Sequence, residues 1–510
     1  MNYPDINPTV QAYSVQVLLD LLAHGCDRDT VKSKSHFDYF EKYFQTLAAK
    51  TVGVEDAYVD HDYLDDFAAF YVRCFSKYER FTRRLHFFTV EFGQDAFDNC
   101  LKGTNADLEQ LLANNYLGFV VVKPLPRTII GRTCLATYPS DDGRRNYPIT
   151  QRYTSNLCGI ELSVQTLAFQ EQDSVVSACA TSALWSAFQG TGKLFHHRIP
   201  SPAEITKCAS DHISDSNELR RMPNGGLTAA QMAHSVRAVG LEPYLLAAEN
   251  QAVIKNTVYA YLSAGIPLIL LFELHNDVPG APCSNTILGM HAVAITGFSL
   301  GGALQPHLSS PVQYKASRID KFYAHDDQVG PFTRMELRAD GYIDSPWGGA
   351  ANKVIAKQRL LLIPLNEKIR LSHLSVFSAV QEIGSALDRI MRSISSASPT
   401  VFSGLEWDVR LVTANSYKKE IFSSSHEDRD QILRKHFPRY LWCARVLGND
   451  RALLDIIFDA TDIEQSGAFV CHFPFDKAIH SLIKTIFRIC KNDFLGGSPL
   501  TAAVAEELAR

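Results

Sequence analysis

The sequence predicts an α+β protein in which a β-rich central region is flanked by helical regions. Apolar residues recur at helical spacing up to about residue 115. From residue 116 to about 365, short apolar runs bounded by Pro and Gly are typical of strands. Beyond that point the helical spacing returns. At 510 residues, the chain is long enough for about three domains of ordinary size.

Composition indicates a globular protein with sizeable cores, since 46% of its residues are hydrophobic and 21% are charged. The net charge of −5 gives no field that would recruit nucleic acid. The longest apolar runs, at 117–122 and 266–272, have the length of strands, so we expect no membrane span. The start lacks the pattern of a secretory signal. The odd number of cysteines, 11 without a Cys-x-x-Cys pair, favours reduced thiols and a cytoplasmic location.

Residues 1–115 are predicted to form a helical region, because helical spacing marks 10–24, 37–48 and 63–88. The last of these runs carries many aromatic residues, which we interpret as the core of a helix bundle. An acidic cluster at 60–66 is interpreted as a helix start, where carboxylates are favourable.

Residues 116–170 are predicted to form a β-rich segment that braces the region after it. Strands are predicted at 117–122, 128–135 and 159–169, and Pro124 ends the first of them.

The central region, 171–365, is predicted to begin with a helix at Cys179 and to continue with alternating helices and strands. The predicted helices after it start near Pro202 and cover 229–239 and 251–264, and the predicted strands cover 241–246, 266–273, 289–298 and 318–324. Two loops rich in Pro, Gly and Ser are predicted at 275–285 and 299–317. Residues 366–510 are predicted to be helical, with helices at 371–394, 432–446, 449–459 and 475–490.

Cys179 stands where a nucleophile could be activated. Ser177 is expected to cap the helix that Cys179 opens. The free N–H groups and the dipole of a helix start favour an anion, so a thiol there is expected to have a lowered pKa. A thiolate is the nucleophile of cysteine enzymes. The alternative is a small buried residue in an Ala-rich helix.

Three further residues could complete such a site. His291, on a predicted strand, can accept the thiol proton and later pass it to a leaving group. Asp326, at the end of the next strand, can bond the other ring nitrogen and fix its tautomer. The amide of Gln172 and the N–H of Cys179 can stabilise an oxyanion. Two of these residues have an alternative role in the fold: His291 as a core histidine bonded to a backbone carbonyl, and Asp326 as an acid in a turn.

This order of residues resembles the papain-like cysteine peptidases, most closely their bacterial branch, the peptidases of bacteriocin-exporting transporters and related stand-alone forms. The resemblance covers about 165–365 and is carried by Gln172, Cys179-Ala-Thr-Ser-Ala-Leu-Trp, Gly265-Ile-Pro-Leu-Ile-Leu, Met290-His-Ala-Val-Ala-Ile-Thr-Gly-Phe298 and Phe322-Tyr-Ala-His-Asp-Asp327. It implies a papain-like core, with a cleft between a central Cys helix and an antiparallel sheet. It further implies that Cys179 is the nucleophile, His291 the base, Asp326 the orienting acid and Gln172 the oxyanion donor, without a cofactor or metal.

The sequence departs from the family pattern at two places that leave alternatives open. Six residues separate Gln172 from Cys179, one more than the family usually has, so Gln170 is a rival oxyanion donor. Asp326 and Asp327 are adjacent, and an extended chain would point them to opposite faces, so we expect only one to reach His291. We choose Asp326, because the family's acid stands at the strand end after one polar residue.

The predicted function is a thiol hydrolase that cleaves peptide or isopeptide bonds through an acyl-thioester on Cys179. Two alternatives remain open. One is a transglutaminase or glutamine deamidase that uses the same triad. The other is a catalytically degenerate scaffold that acts as a protein-binding module. The expected partners are a protein or peptide substrate and a protein partner bound through the helical flanks.

Overall fold

The computed structural model has a mixed α and β architecture with several antiparallel sheets. The residues it describes are 7–173, 175–176, 178–211, 226–248, 250–277, 286–302, 312–344, 347, 353–394, 405–463, 467–489, 494 and 497–509. The predicted loop at 275–285 falls largely outside these residues, and so does the middle of the loop predicted at 299–317, residues 303–311.

Helices and strands alternate along most of the chain. The strands are β1 Thr9–Ala12, β2 Thr51–Tyr58, β3 Thr82–Phe88, β4 Tyr116–Val122, β5 Ile130–Leu135, β6 Arg145–Asn146, β7 Gln151–Leu157, β8 Ile160–Thr166, β9 Glu242–Ala247, β10 Leu268–Asn276, β11 Ile287–Leu300, β12 Gln313–Tyr314, β13 Ile319–Asp326, β14 Gly330–Leu337, β15 Ile343–Asp344, β16 Val354–Leu365, β17 Leu405–Thr413, β18 Tyr440–Gly448, β19 Arg451–Asp459 and β20 Phe469–Pro474. The helices are α1 Val15–Leu22, α2 Arg28–Lys32, α3 Ser35–Thr46, α4 His61–Ala69, α5 Gln94–Leu101, α6 Ala106–Asn114, α7 Cys179–Phe195, α8 Pro202–Asp211, α9 Ala229–Ala238, α10 Gln251–Leu262, α11 His373–Ile394, α12 Ala414–Ser423, α13 Arg429–Arg434, α14 Lys477–Ile489 and α15 Pro499–Ala509.

The N-terminal 115 residues are not a helical bundle, so that part of the prediction is wrong. Strands β1 to β5 form one five-stranded sheet in sequence order. The predicted helix at 63–88 is instead α4, a short 3-10 turn at Tyr71–Arg73 and β3. β3 lies between β2 and β4, and most of its side chains are buried. The sequence of β3, Thr-Arg-Arg-Leu-His-Phe-Phe, does not alternate regularly between polar and apolar residues, so periodicity does not identify it as a strand.

The C-terminal region is likewise not helical throughout. Residues predicted as helices at 432–446 and 449–459 form mainly the strands β18 and β19. Together with β12, β17 and β20 they build a second five-stranded sheet. The predicted helices at 371–394 and 475–490 are confirmed as α11 and α14.

The described chain divides into two compact units. The first comprises Met1–Glu249, Gly265–Ser299 and Lys321–Pro364, and the second comprises Asn250–Ala264, Leu300–Asp320 and Leu365–Arg510. All the predicted site residues belong to the first unit, and so does the N-terminal segment. In this unit β10 pairs with β11 and also with β16, so the pairings β10–β11–β13–β14–β15–β16 close into a ring of strands.

Helix α7 is largely buried in the core of the first unit. Its side chains at 180, 183, 184, 187 and 188 are buried in one core cluster, as the helical spacing predicts. The cluster also contains Ile269, Ala292 and Leu362, which belong to β10, β11 and β16. This packing places the start of α7 beside the strand that carries His291, so the core itself brings two of the predicted site residues close to each other.

Candidate functional site

Cys179 is the first residue of α7 and is partly exposed. The N-cap position is Ala178, which has an extended backbone and makes no side-chain cap. Ser177, the predicted cap, lies outside the described residues. Because alanine offers no oxygen to the N–H groups of the first turn, those groups remain available to stabilise negative charge near the sulfur.

Hydroxyl groups hold the chain just before the helix from behind. Thr206, on α8, donates from its Oγ1 to the Val176 carbonyl at 2.7 Å. The backbone N–H of Ala178 donates to Thr181 Oγ1 at 3.4 Å. These bonds fix the backbone that leads into α7 and use none of the N–H groups of its first turn.

His291 lies on β11, and only 1% of its side chain is exposed. Its ring packs against Phe272, with 5.4 Å between ring centroids, and nearly perpendicular to Trp347 at 5.5 Å. These aromatic rings exclude water from the imidazole. Electrostatic interactions of the imidazole are therefore stronger than they would be in solvent.

The two adjacent carboxylates both face His291, so the expectation that they point to opposite faces is wrong, but only Asp326 comes within hydrogen-bonding distance. Nε2 of His291 lies 3.1 Å from Asp326 Oδ1 and 3.6 Å from Asp327 Oδ1. The chain is no longer extended at this point: β13 ends at Asp326, and its pairing with β14 is irregular there. The N–H of Gln328 turns back to Asp326 Oδ1 at 3.0 Å, and Val329 N–H bonds the Asp326 carbonyl.

The two carboxylates determine the charge of the imidazole. Burial lowers the pKa of His291, but the charges of Asp326 and Asp327 outweigh it and hold this pKa well above its usual value. A hydrogen bond with the Cys179 side chain acts in the same direction. Burial also raises the pKa of Asp327; His291 opposes this rise and Asp326 adds to it. Because Nε2 faces the acids, Nδ1 is the ring nitrogen left for the thiol.

The two rival glutamines occupy different places. Gln172 lines a cavity of about 810 Å³ together with Cys179 and His291. Gln170 is 2% exposed and is not part of that lining. Its amide nitrogen has no hydrogen-bond partner among the described residues. Position therefore favours Gln172 as the oxyanion donor, a role that stays a prediction.

The cavity has an apolar wall and a charged rim. Its apolar lining includes Leu271, Met290 and Leu360, on β10, β11 and β16. Arg359 also lines it and donates to Glu273 Oε2 at 2.6 Å. A cavity of this volume beside the sulfur is large enough for one side chain of a polypeptide.

His291, Asp326 and Asp327 are also a group that could hold a metal ion. One ligand atom from each lies within 4.8 Å of the others, and all three residues are buried. Oδ2 of each aspartate has no hydrogen-bond partner within the described parts of the chain. One imidazole and two carboxylates suit a divalent cation such as Zn²⁺ or Mn²⁺.

Sequence reasoning missed the residues that surround the site. Trp347 covers the imidazole. In the sequence it is a large aromatic residue among Pro and Gly, in Ser345-Pro-Trp-Gly-Gly349, and this signal could have indicated a residue of the site. His36 donates from Nε2 to the Asp327 carbonyl at 2.9 Å, and Lys34 pairs with Glu171. Nothing in the local sequence around Lys34 and His36 indicates these distant contacts.

Fold and site together define a mixed α and β protein with a Cys–His–acid group at a cavity. No protein-family model and no curated protein matches the chain. Among the described helices, none combines the length and the apolar character needed to cross a bilayer.

Proposed function

We propose that this protein is a cysteine hydrolase with a papain-like core that cleaves peptide or isopeptide bonds. The supporting observation is that buried His291 bonds Asp326 through Nε2 and lines the same cavity as Cys179. The partly exposed sulfur opens onto a cavity large enough for a substrate side chain. A structural cysteine in an Ala-rich helix would need neither the imidazole nor the cavity.

In the proposed reaction, the Cys179 sulfur attacks the substrate carbonyl while the thiol proton resides on His291. The oxyanion that forms is stabilised by the N–H of Cys179 and the amide of Gln172. When the C–N bond breaks, the leaving amine takes the proton from His291 and an acyl-thioester remains. Water then attacks the thioester, gives its proton to His291, and releases the acid as the C–S bond breaks. Asp326 orients the imidazole and balances its charge throughout.

Two other functions are compatible with the same residues. An amine in place of water would make the enzyme a transglutaminase, and attack on a glutamine side chain with release of ammonia would make it a deamidase. A degenerate scaffold that binds protein through its N- or C-terminal region is the third possibility. We favour catalysis because a scaffold gains nothing from a buried acid–imidazole pair next to a partly exposed thiol.

A reducing cytoplasmic location is part of the proposal. The cysteines that the structure describes are free thiols. A cysteine nucleophile also needs a compartment that keeps it reduced.

Thiol labelling tests the proposal directly. Limited iodoacetamide should modify Cys179 before the other thiols, and Cys179→Ala should remove the fast phase. Cys158, which is exposed and not among the residues that line the cavity, is the matched control. Cys158→Ala should retain the fast phase, and His291→Gln should slow it. Equal reactivity of Cys179 and Cys158 would contradict a catalytic role.

A comparison of wild type with Cys179→Ala in a cell lysate then separates the reactions. New protein termini that depend on the thiol indicate a peptidase. Ammonia release without new termini indicates a deamidase, and cross-linked products indicate a transglutaminase. A reactive thiol with none of these products would favour the binding scaffold.

A further inference from the structure

We propose that α3 and the lysine just before it position two parts of the site: the acid loop, which is residues 326–329 between β13 and β14, and the segment that contains Gln172. This inference rests on the proposed function and assigns positioning roles to Lys34 and His36, which touch no reacting atom. Both residues belong to the N-terminal segment, outside the part of the chain that resembles the papain-like family.

The first contact fixes the acid loop. His36 is 5% exposed, and its Nε2–H donates to the Asp327 carbonyl at 2.9 Å. Burial lowers the pKa of His36, so the ring is neutral at physiological pH and its single N–H is used in this bond. The bond holds the peptide between Asp327 and Gln328, whose N–H donates to Asp326 Oδ1 at 3.0 Å, so it acts on both acids that face His291.

A second side chain on the same helix packs against the strand that follows the acid loop. The Tyr39 hydroxyl donates to the Pro331 carbonyl. Gly330 lies under the Tyr39 ring so closely that a Cβ at this position would come within 2.3 Å of Tyr39 Cδ1. Glycine at residue 330 is therefore required by the approach of α3 to β14.

The remaining contact fixes the segment that leads to Gln172. The Lys34 ammonium forms an ion pair with the Glu171 carboxylate. Oε2 of Glu171 accepts the backbone N–H groups of Ile129 and Ile130 at 2.8 and 2.9 Å. Both carboxylate oxygens of Glu171 are therefore held in place. Because Gln172 is the next residue in the chain, these contacts also restrict the position of its backbone.

These contacts arise from Lys34, His36 and Tyr39, which lie close together at the start of one helix. A single rigid element therefore sets the acid loop and the glutamine relative to each other. This matters because a displacement of about 1 Å in a catalytic group can cost about 100-fold in rate. If α3 were only structural, changes in it would lower the melting temperature without a specific effect on the site. If it positions the site, loss of the His36 or Lys34 contact changes the reaction beyond what the loss of stability explains.

The test for His36 compares two replacements with a control on the same helix. His36→Phe keeps an aromatic ring and removes the donor, and His36→Gln restores an N–H donor. Tyr43→Phe is the control, because the Tyr43 hydroxyl is buried on α3 and donates to the Ala136 carbonyl, away from the acid loop. The readouts are the rate of Cys179 alkylation as a function of pH and the melting temperature.

His36→Phe should slow alkylation by about 10- to 100-fold and move its pH profile, since the carboxylates no longer face His291 correctly. His36→Gln should recover most of that rate. Tyr43→Phe should lower the melting temperature and leave the rate unchanged. A wild-type rate and profile in His36→Phe, or equal slowing in Tyr43→Phe, would overturn the role of His36.

Lys34 is tested with a ligand that needs the oxyanion donors. Lys34→Met should weaken binding of a peptide aldehyde about tenfold while iodoacetamide alkylation stays near its wild-type rate, and Lys34→Arg should restore binding. Parallel loss of both readouts, or no loss in either, would overturn the role of Lys34. If wild type shows no selective reaction at Cys179, the proposed function fails; if wild type reacts but the variants match it, only the positioning roles fail.

Discussion

Replacement of each acid by asparagine decides which carboxylate orients the imidazole. Asp326→Asn and Asp327→Asn each remove one negative charge next to His291 and change the side-chain volume little. Asp326 lies at hydrogen-bonding distance from Nε2, 3.1 Å, whereas Asp327, at 3.6 Å, lies beyond it. We expect both variants to react more slowly at Cys179, and Asp326→Asn to be much the slower.

The difference between the two variants follows from these distances. Coulomb energy falls inversely with distance, so the attraction of Asp326 for His291 exceeds that of Asp327 by a factor of only 3.6/3.1, about 1.2. Asp326 alone adds a hydrogen bond to a charged group, which contributes about 1.5–3 kcal/mol, whereas the neutral bond that asparagine can still accept contributes about 0.5–1.5 kcal/mol. The loss is about 1–1.5 kcal/mol, so at 1.4 kcal/mol for each factor of ten the rates of the two variants should differ by about 5- to 10-fold.

Alkylation with iodoacetate measures this effect, because the imidazolium attracts the anionic reagent to the sulfur. The carboxylates hold the pKa of His291 above its usual value, so the imidazolium persists to higher pH and is lost as the pH rises through that pKa. Either variant lowers this pKa, and the alkaline fall in rate should therefore move to lower pH, further in Asp326→Asn. The profile is recorded between about pH 5 and about pH 9. If Asp327→Asn reacts more slowly than Asp326→Asn, or if the alkaline limb does not move in either variant, Asp326 is not the acid that orients His291.

Three further outcomes are expected. Trp347→Ala should lower the melting temperature and slow alkylation, because a buried aromatic lost to alanine costs about 3–5 kcal/mol and water then reaches His291; Trp347→Phe should recover both. Prior treatment with a chelator should leave alkylation unchanged, whereas added Zn²⁺ should slow it by competing for the imidazole and its two acids, and faster alkylation with Zn²⁺ would contradict the thiol mechanism. In the second unit, Arg445 binds the fully buried Asp455 carboxylate at 2.6 and 2.8 Å. Arg445→Met leaves this buried charge without its arginine, so it should lower the free energy of unfolding, measured with denaturant, by about 3–5 kcal/mol. The double variant Arg445→Met with Asp455→Leu should have a free energy of unfolding closer to that of wild type than Arg445→Met alone. An equal loss of stability in both variants would argue against the cost of an unpaired buried charge.

Local patterns in the sequence determined several elements correctly. Thr228 caps α9 and pairs with Gln231 in a capping box, and Ser201 and Glu204 do the same at α8. Such caps bond within one turn, so the sequence contains all the residues they need. The buried face of α7 follows from helical spacing for the same reason.

Apolar runs without a clear period were interpreted wrongly. Residues 440–448 are buried along almost the whole of β18, which lies between β17 and β19. A strand covered on both faces has no alternation of polar and apolar residues, so its sequence does not differ from that of a buried helix. Only pairing with strands elsewhere in the chain decides its structure.

By itself the sequence determined the chemistry of the candidate site: a cysteine at a helix start, a histidine on a later strand and an acid at the end of the next. Tertiary structure alone decided that Asp327 also faces His291, and that His36 and Lys34 hold the segments around them. The physical reason is distance along the chain, since a contact between residues separated by tens or hundreds of positions leaves no local pattern in either stretch.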